Sequence, residues 1–511
     1  MNLQIILVSS KPKFNIIDLF AGPGGLAEGF NTYKGRVSFK TQVSVEMNHY
    51  ACETLRGRKA FLEASENDDQ VNLDLLKDHW ASSICQTSKS RVLNAISSSL
   101  SQKINNIVLH GEMGTPKTDF DILTKITKLR ESNNEIVLVG GPPCQAYSMA
   151  GRVKNAANPN YDATKDKRNY LYQEYLKFIG ASQPAVFVME NVKGLLSAKI
   201  EGASVFNNIL NDLQKPINPF TGNVGANYKI YSLVKREGDI EQNIFGSLFD
   251  AKDFLVKAED YGIPQARHRV ILLGVRNDIT KIPKILEPQL KVSVKDAIDK
   301  LPELRPSITD RVLSDQQFNF ELRAIALDLA KEANNFGDTG FSSHLLSLEA
   351  SIASSKHQYI RQSDSYDLFG VYNHYSRKHM LGDIKRYFYV SSFADFYGRS
   401  PRGHHEFPYE GLAPDHKNWK SNKFVDRFRC QVAVQPANTV TSHISKDGHH
   451  FIHYDPIQAR SLSVREAARV QTFTDEYFFS GPQTAQYQQV GNAVPPELAK
   501  QIAAIVDDLL N

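Results

Sequence analysis

The sequence predicts an α/β protein with a doubly wound parallel sheet, followed by a second, smaller domain of different character. Three observations lead there. Short apolar runs alternate with stretches of helical period through the first half of the chain, the rhythm that βαβ units produce. A glycine loop, AGPGG at 21–25, leaves the first apolar run and opens a helix-like segment. The rhythm then stops after about residue 278, where proline-rich and then aromatic, basic stretches take over.

Taken in order, FNIIDLFA (14–21) reads as a buried strand and LAEGFNTY, after GPGG, as a helix. TQVSVE (41–46) predicts a strand ending on Glu46, and INNIVL (104–109), EIVLV (135–139), AVFVM (185–189) and RVILLGV (269–275) predict further strands. Runs this short and apolar suit strands covered on both faces. The polar, serine-rich 56–103 segment is expected to be a helical, peripheral insertion. The tail LAKQIAAIVDDLL (498–510) has helical spacing and follows the turn-rich VGNAVPP. The α/β rhythm stops after about residue 278, and the mixed aromatic and basic region that follows runs to about residue 430.

No apolar run approaches the ~18 residues of a membrane span, and MNLQIILVSSKPKF, without a basic n-region, reads as mature sequence. Cys52, Cys85, Cys144 and Cys430 lie far apart without metal-site spacing, so free thiols in a reducing compartment are expected rather than disulfides or zinc. The net charge of +4 is too small to establish a polyanionic partner. Its distribution says more: residues 356–429 hold thirteen Lys/Arg against eight Asp/Glu, with six histidines and many Tyr and Phe. An ordinary solvated surface and a nucleic-acid face both fit that composition. His404 and His405 lack partners at ligand spacing, so no metal site is expected.

Four motifs carry chemistry. In AGPGG the backbone can approach a ligand closely, and the following helix N-terminus favours negative charge. Glu46 follows Gly24 by 22 residues at the end of the next strand, where a carboxylate can accept from two ribose hydroxyls. An adenosine-containing cofactor fits, although the loop alone does not separate a nicotinamide dinucleotide from S-adenosylmethionine. In GGPPCQAYSMAG (140–151), Pro142 and Pro143 stiffen the backbone before Cys144 at a strand end, as a presented nucleophile requires; a buried structural cysteine is the competing reading. FVMENVKGLL (187–196) puts Glu190 at another strand end, where it could act as a proton donor or serve only as a surface carboxylate. YGIPQARHRVILLGV (261–275) projects Gln265, Arg267 and Arg269 to one side if extended; such guanidinium groups suit a base carbonyl or a phosphate, or a structural salt-bridge network.

In this order, DLFAGPGGLAEGF, GGPPCQAYS, MENVKGLL, QARHRVILLGV and VGNAVPP resemble the DNA cytosine-5 methyltransferases. The resemblance covers nearly the whole chain apart from 56–103 and the middle of 279–425. NHYSRKH and SLSVREAARVQTF look most like bacterial restriction–modification enzymes. The resemblance implies a Rossmann-like, S-adenosylmethionine-dependent catalytic domain over 1–278, a smaller target-recognition domain with its hinge over 279–443, and a C-terminal segment, 444–511, returning to the catalytic domain.

It also implies roles. The Cys144 thiolate, its pKa lowered by nearby positive charge, would add to C6 of a flipped-out cytosine. Glu190 would protonate N3, Arg269 would hold the base O2, and Arg267 would order the loop. Phe20, Ala21, Gly22, Gly24, Gly25, Leu26, Glu46, Met47, Pro142, Asn492 and Ala493 match cofactor contacts. Glu112, in GEM, stands where an aspartate is usual as the adenine partner. Residues 145–168 read as a closing loop. Gln145, Ser148, Arg152, Arg361, Arg377, Lys378, Arg399 and Arg402 are the candidate contacts to double-stranded DNA. A monomer on DNA is expected, cytoplasmic and nucleoid-associated in a bacterium and paired with a cognate restriction endonuclease. A tRNA cytosine-5 methyltransferase would share the Cys and Glu motifs but usually lacks so long a recognition region. An inactive DNA-binding regulator would not need Cys144, Glu190 and both arginines, and a nicotinamide oxidoreductase would leave PPC and ENV idle.

Overall fold

The computed structural model describes residues 12–84, 91–132, 134–143, 171–200, 203–218, 221–223, 225–236, 250–309, 313–354, 371–415, 419–420 and 427–511. An eight-stranded sheet organises the first half. Its strands are β1 (Phe14–Leu19), β2 (Phe39–Glu46), β3 (Val108–His110), β4 (Glu135–Gly140), β5 (Val186–Val192), β6 (Tyr228–Tyr231), β7 (Leu255–Lys257) and β8 (His268–Arg276). They lie in the order β3-β2-β1-β4-β5-β8-β6, with β7 also on β8. The first five are parallel; β8 runs antiparallel to β5, β6 and β7. The sheet is doubly wound, and the chain reverses direction across it between β1 and β4. The crevice beyond the carboxyl ends of those two strands is where such sheets bind ligands.

Alternation along the strands builds a core on each face. Ile16 of β1 packs on one side with Leu26 and Phe30 of α1 (Gly25–Thr32) and with Leu498, Ile502 and Val506 of the last helix (Pro496–Leu510). Ile17 and Leu19 face the other way, into Ile122, Tyr175, Phe178 and Ile209 from three crossover helices. The contact between α1 and the last helix is close enough to require glycine. A Cβ on Gly25 would come within 2.1 Å of the Val494 carbonyl oxygen, and one on Gly29 within 2.4 Å of that of Pro496.

Among its described residues, the 56–103 segment is largely helical but not peripheral. Its first residues belong to α2 (His49–Glu66), and it continues through α3 (Gln70–Ile84) and α4 (Ser98–Ile107). The expected strand at 104–109 is therefore mostly helix. Leu100, Ile104 and Ile107 recur at helical spacing and bury one face, leaving only Val108–His110 to pair with β2. Polar residues enter this core because they are paired. Arg58 binds Glu28 of α1 at 2.5 Å, both nearly inaccessible, a geometry that offsets the desolvation of two charges. Trp80 stacks on Phe478 at 5.4 Å and meets Tyr372 edge-on at 5.2 Å, and is 2% exposed. Trp80→Ala is expected to lower stability by ~3–5 kcal/mol, the range for deleting a buried aromatic, measured as the shift in a chemical denaturation midpoint.

The later residues form a second core from Phe318 to Ala459, centred on α5 (Asp315–Asn335), α6 (Thr339–Ser354) and α7 (Leu381–Tyr397). A further cluster is built from residues of 294–301, 437–444 and 451–493 together with Val371, including residues of α8 (Val464–Val470) and α9 (Gln483–Asn492). The last helix, α10 (Pro496–Leu510), then lies against α1. Among the described residues no helix is long and apolar enough to cross a membrane.

Candidate active site

The crevice at the strand ends gathers most of the expected side chains that lie among the described residues. After β1 the backbone turns sharply: Phe20 (φ 54°), Gly22 (φ 55°) and Gly24 (φ 98°) all adopt left-handed conformations. A Cβ on Gly24 would lie 2.7 Å from Leu55, so side-chain size as well as φ selects glycine there. Ala21 N–H donates to the Val45 carbonyl at 3.0 Å, tying the loop to the end of β2. Glu46, the last residue of β2, accepts from Gly22 N–H through Oε2 at 2.8 Å and from Asn48 N–H through Oε1 at 2.7 Å. Burial raises its pKa, opposed by these backbone donors.

The crevice suits an adenosine-bearing cofactor. Each carboxylate oxygen of Glu46 has a further lone pair for a hydroxyl donor. Met47 beside it is 63% exposed, a free apolar surface next to the carboxylate. Among the described residues, and apart from its chain neighbours, nothing lies within 4 Å of where a Gly22 Cβ would be, which leaves room for a ligand to approach this backbone. Glu112 is exposed just beyond β3, Leu26 and Ala493 are buried, and Asn492 is exposed at the end of α9. Beneath the loop, burial pushes the Asp18 carboxyl up and the Lys59 ammonium down.

A second group of side chains meets at the neighbouring ends of β4, β5 and β8. Glu190 lies within β5, with its carboxylate 2.9 Å from Arg269 Nε; both side chains are largely covered yet reach the surface. Gly141, which leaves β4, backs directly onto this pair, since a Cβ there would lie 3.0 Å from Glu190 Oε2. Asn191 Nδ2 donates to the Pro142 carbonyl at 3.2 Å, and so holds the Gly-Pro-Pro stretch against β5. Asn191 was not singled out as functional from the sequence, although it sits inside the quoted MENV. Cys144, Gln145, Ser148, Arg152 and the rest of the 145–168 loop lie outside the described residues, as does Arg361.

Gln265, Arg267 and Arg269 do not act as one row. Gln265 sits in a two-residue strand, Gln265–Ala266, paired with Ala437–Asn438. Arg267 is 2% exposed, and its Nη1 donates to the carbonyls of Val440 at 2.8 Å and Gly491 at 3.3 Å. Burial pushes its pKa down, and the Arg269 charge adds to that. Only Arg269 turns to Glu190; its Nη1 also donates to the His268 carbonyl at 2.8 Å.

The candidate DNA contacts divide in the same way. Arg377 donates to the Ile444 and Lys446 carbonyls at 2.7 and 3.0 Å and lies 4.2 Å over the Tyr487 ring, so its guanidinium is engaged within the protein. Arg399 forms a two-pronged pair with Glu406 at 2.6 and 2.9 Å. Lys378 and Arg402 are exposed.

A family model for C-5 cytosine-specific DNA methylases matches residues 110–216 and 247–507. The type II methyltransferase M.Bpa9945I of Bacillus paralicheniformis is 32% identical, with 97% of this chain and 99% of that protein covered. The type II methyltransferase M.DdeI of Desulfomicrobium norvegicum is 25% identical, covering 96% of this chain and 87% of its own. Among solved structures, the Entamoeba histolytica methyltransferase EhMeth covers 98% of this chain and 100% of its own at 12% identity, with a TM-score of 0.43.

Proposed function

The chain belongs to the family of C-5 cytosine-specific DNA methylases, and from that membership we propose that it methylates C5 of a flipped-out cytosine in a specific duplex sequence through a covalent Cys144–C6 adduct. We further propose that it is the modification enzyme of a restriction–modification system, as the type II names of its relatives suggest. The observation that carries the chemistry is the meeting of the Glu190–Arg269 pair with Gly141, the residue three before Cys144.

Cytosine C5 is a poor nucleophile until the ring is activated. In this reading the Cys144 thiolate adds to C6, and the electron pair displaced from the C5–C6 double bond makes C5 nucleophilic. Glu190 delivers a proton to N3, neutralising charge that the addition drives into the ring. Arg269, fixed by Glu190 and the His268 carbonyl, holds the base O2. Arg267 orders the backbone around Val440 and Gly491. After C5 takes the methyl group, loss of the C5 proton, departure of the Cys144 thiolate from C6 and return of the N3 proton to Glu190 restore the aromatic ring. The target atom is buried in a duplex, so the base must leave the stack first.

S-adenosylmethionine supplies an electrophilic methyl group when bound. Phe20, Ala21, Gly22, Gly24, Gly25, Leu26, Glu46, Met47, Glu112, Pro142, Asn492 and Ala493 are the residues proposed to hold it, with Glu46 accepting from the ribose hydroxyls. The target-recognition role is assigned to 279–443, where exposed Lys378 and Arg402 are the proposed DNA contacts among the described residues. Glu46→Ala is expected to weaken S-adenosylmethionine binding ~10–100-fold, the scale of two lost polar contacts to a carboxylate. Calorimetric titration of the folded variant checks it. Bisulfite sequencing of DNA from cells expressing the chain tests the reading as a whole and identifies the target: protected cytosines at one recurring sequence support it, and their absence counts against it.

A further inference from the structure

The turn after α8, Gln471 to Tyr477, belongs to SLSVREAARVQTF and the residues that follow, a stretch that none of the catalytic or cofactor roles above uses. Three of its side chains reach three different neighbouring segments, two of them walls of the crevice. Gln471 is fully buried. Its Nε2 donates to the Val490 carbonyl at 2.7 Å and to the Ala493 carbonyl at 3.3 Å, on either side of Asn492. Its Oε1 accepts from Gln265 Nε2 at 2.9 Å, while Gln265 Oε1 accepts from Val440 N–H at 2.6 Å. Thr472 Oγ1 accepts from Glu497 N–H at 3.0 Å and so caps the first turn of α10. The Tyr477 hydroxyl donates to the Pro23 carbonyl in the middle of AGPGG, and lies 3.1 Å from where a Gly24 Cβ would be. Arg58, paired with Glu28, lies 5.1 Å over the Tyr477 ring and fixes it from behind.

The backbone of this turn is strained where it must be. Thr472 has φ 64°, a left-handed conformation rare for a β-branched residue. It follows α8 in a reversed turn, with Thr472 N–H bonded to the Arg469 carbonyl and Phe473 N–H to that of Ala468. Such a conformation persists where the surroundings over-determine it, and here the contacts of its neighbours supply that constraint.

We propose that Gln471 and Tyr477 are positioning residues for the methyl-donor site, Gln471 setting the Asn492 wall and Tyr477 the glycine-loop wall. The inference rests on the reading that these two walls hold S-adenosylmethionine. Neither side chain need touch the cofactor; each fixes backbone that would. Through Gln265 the same network reaches Val440, so the Asn492 wall and the end of the recognition region are held by one set of hydrogen bonds.

The test is equilibrium binding of S-adenosylmethionine to the full-length chain, followed by the split between KM for cofactor and kcat. Tyr477→Phe keeps the ring and removes only the hydroxyl; Gln471→Leu keeps bulk and strips the amide. Each is expected to weaken cofactor binding about tenfold, raising KM for the cofactor more than it lowers kcat. Ser391→Ala removes an equally buried hydroxyl, the donor to the His453 carbonyl in the second core, and should leave cofactor affinity within twofold of wild type. Should Gln471→Leu fail to fold, Tyr477→Phe decides alone. Cofactor affinity unchanged in folded Tyr477→Phe, or weakened equally by Ser391→Ala, overturns the inference. Wild-type protein that binds no S-adenosylmethionine overturns the underlying cofactor reading instead.

Discussion

Cys144→Ser is expected to abolish methyl transfer from labelled S-adenosylmethionine to duplex DNA, a fall of about 10⁴-fold or more, while cofactor binding survives. A serine hydroxyl is almost wholly protonated near neutral pH, whereas a thiol in a positively charged setting reaches the thiolate form. The change is nearly isosteric, and the approach to the position is held independently of the sulfur. Asn191 fixes the Pro142 carbonyl, and Gly141 lies against Glu190. Lost activity with intact cofactor affinity therefore isolates the nucleophile. Full transfer by the serine variant would remove the covalent step.

Glu190→Gln should lower kcat by ~10²–10⁴-fold, the range for losing a positioned proton donor, with cofactor affinity within about twofold. The amide keeps the carboxylate's size and can still accept from Arg269 Nε, but it has no acidic proton to give N3. Rapid-quench measurement of a single turnover separates this chemical step from product release. Arg269→Ala should cost a similar factor. Because Arg269 and Glu190 contact each other at 2.9 Å, the double variant should lose much less than the product of the two single losses. Fully multiplicative losses would mean that the two side chains act separately.

The sheet was legible because its strands are buried on both faces and so write themselves as short, nearly continuous apolar runs. Five of the six expected runs are strands of the main sheet in the structure. The sixth, INNIVL, failed for a local reason: a helix whose buried face is Leu100, Ile104 and Ile107 runs directly into a three-residue strand, and the end of one pattern looks like the start of the other. The polar 56–103 segment looked peripheral because burial there depends on partners remote in sequence. Arg58 needs Glu28, and Trp80 needs Tyr372 and Phe478. Strand-end positions such as Glu46, Glu190 and Arg269 could be located because strand boundaries and motif spacing are both local. The roles of Gln265 and Gln471, 206 residues apart, could not, since two buried amides leave no periodic mark. Charge counting over 356–429 could not tell a cation free to meet DNA from Arg377, whose guanidinium is taken up by two carbonyls and a tyrosine ring.

The covalent mechanism can be trapped directly. A duplex carrying the sequence found by bisulfite sequencing, with 5-fluorocytosine at the target, is incubated with the enzyme and S-adenosylmethionine. Release from C6 requires the C5 substituent to leave as a cation, as a proton does and fluorine does not. A cofactor-dependent complex that survives denaturation is expected, with the DNA attached at Cys144 by peptide mass mapping and absent from Cys144→Ser. Efficient methylation of the ordinary duplex with no such complex on the fluorinated one, or attachment at another residue, would contradict the mechanism.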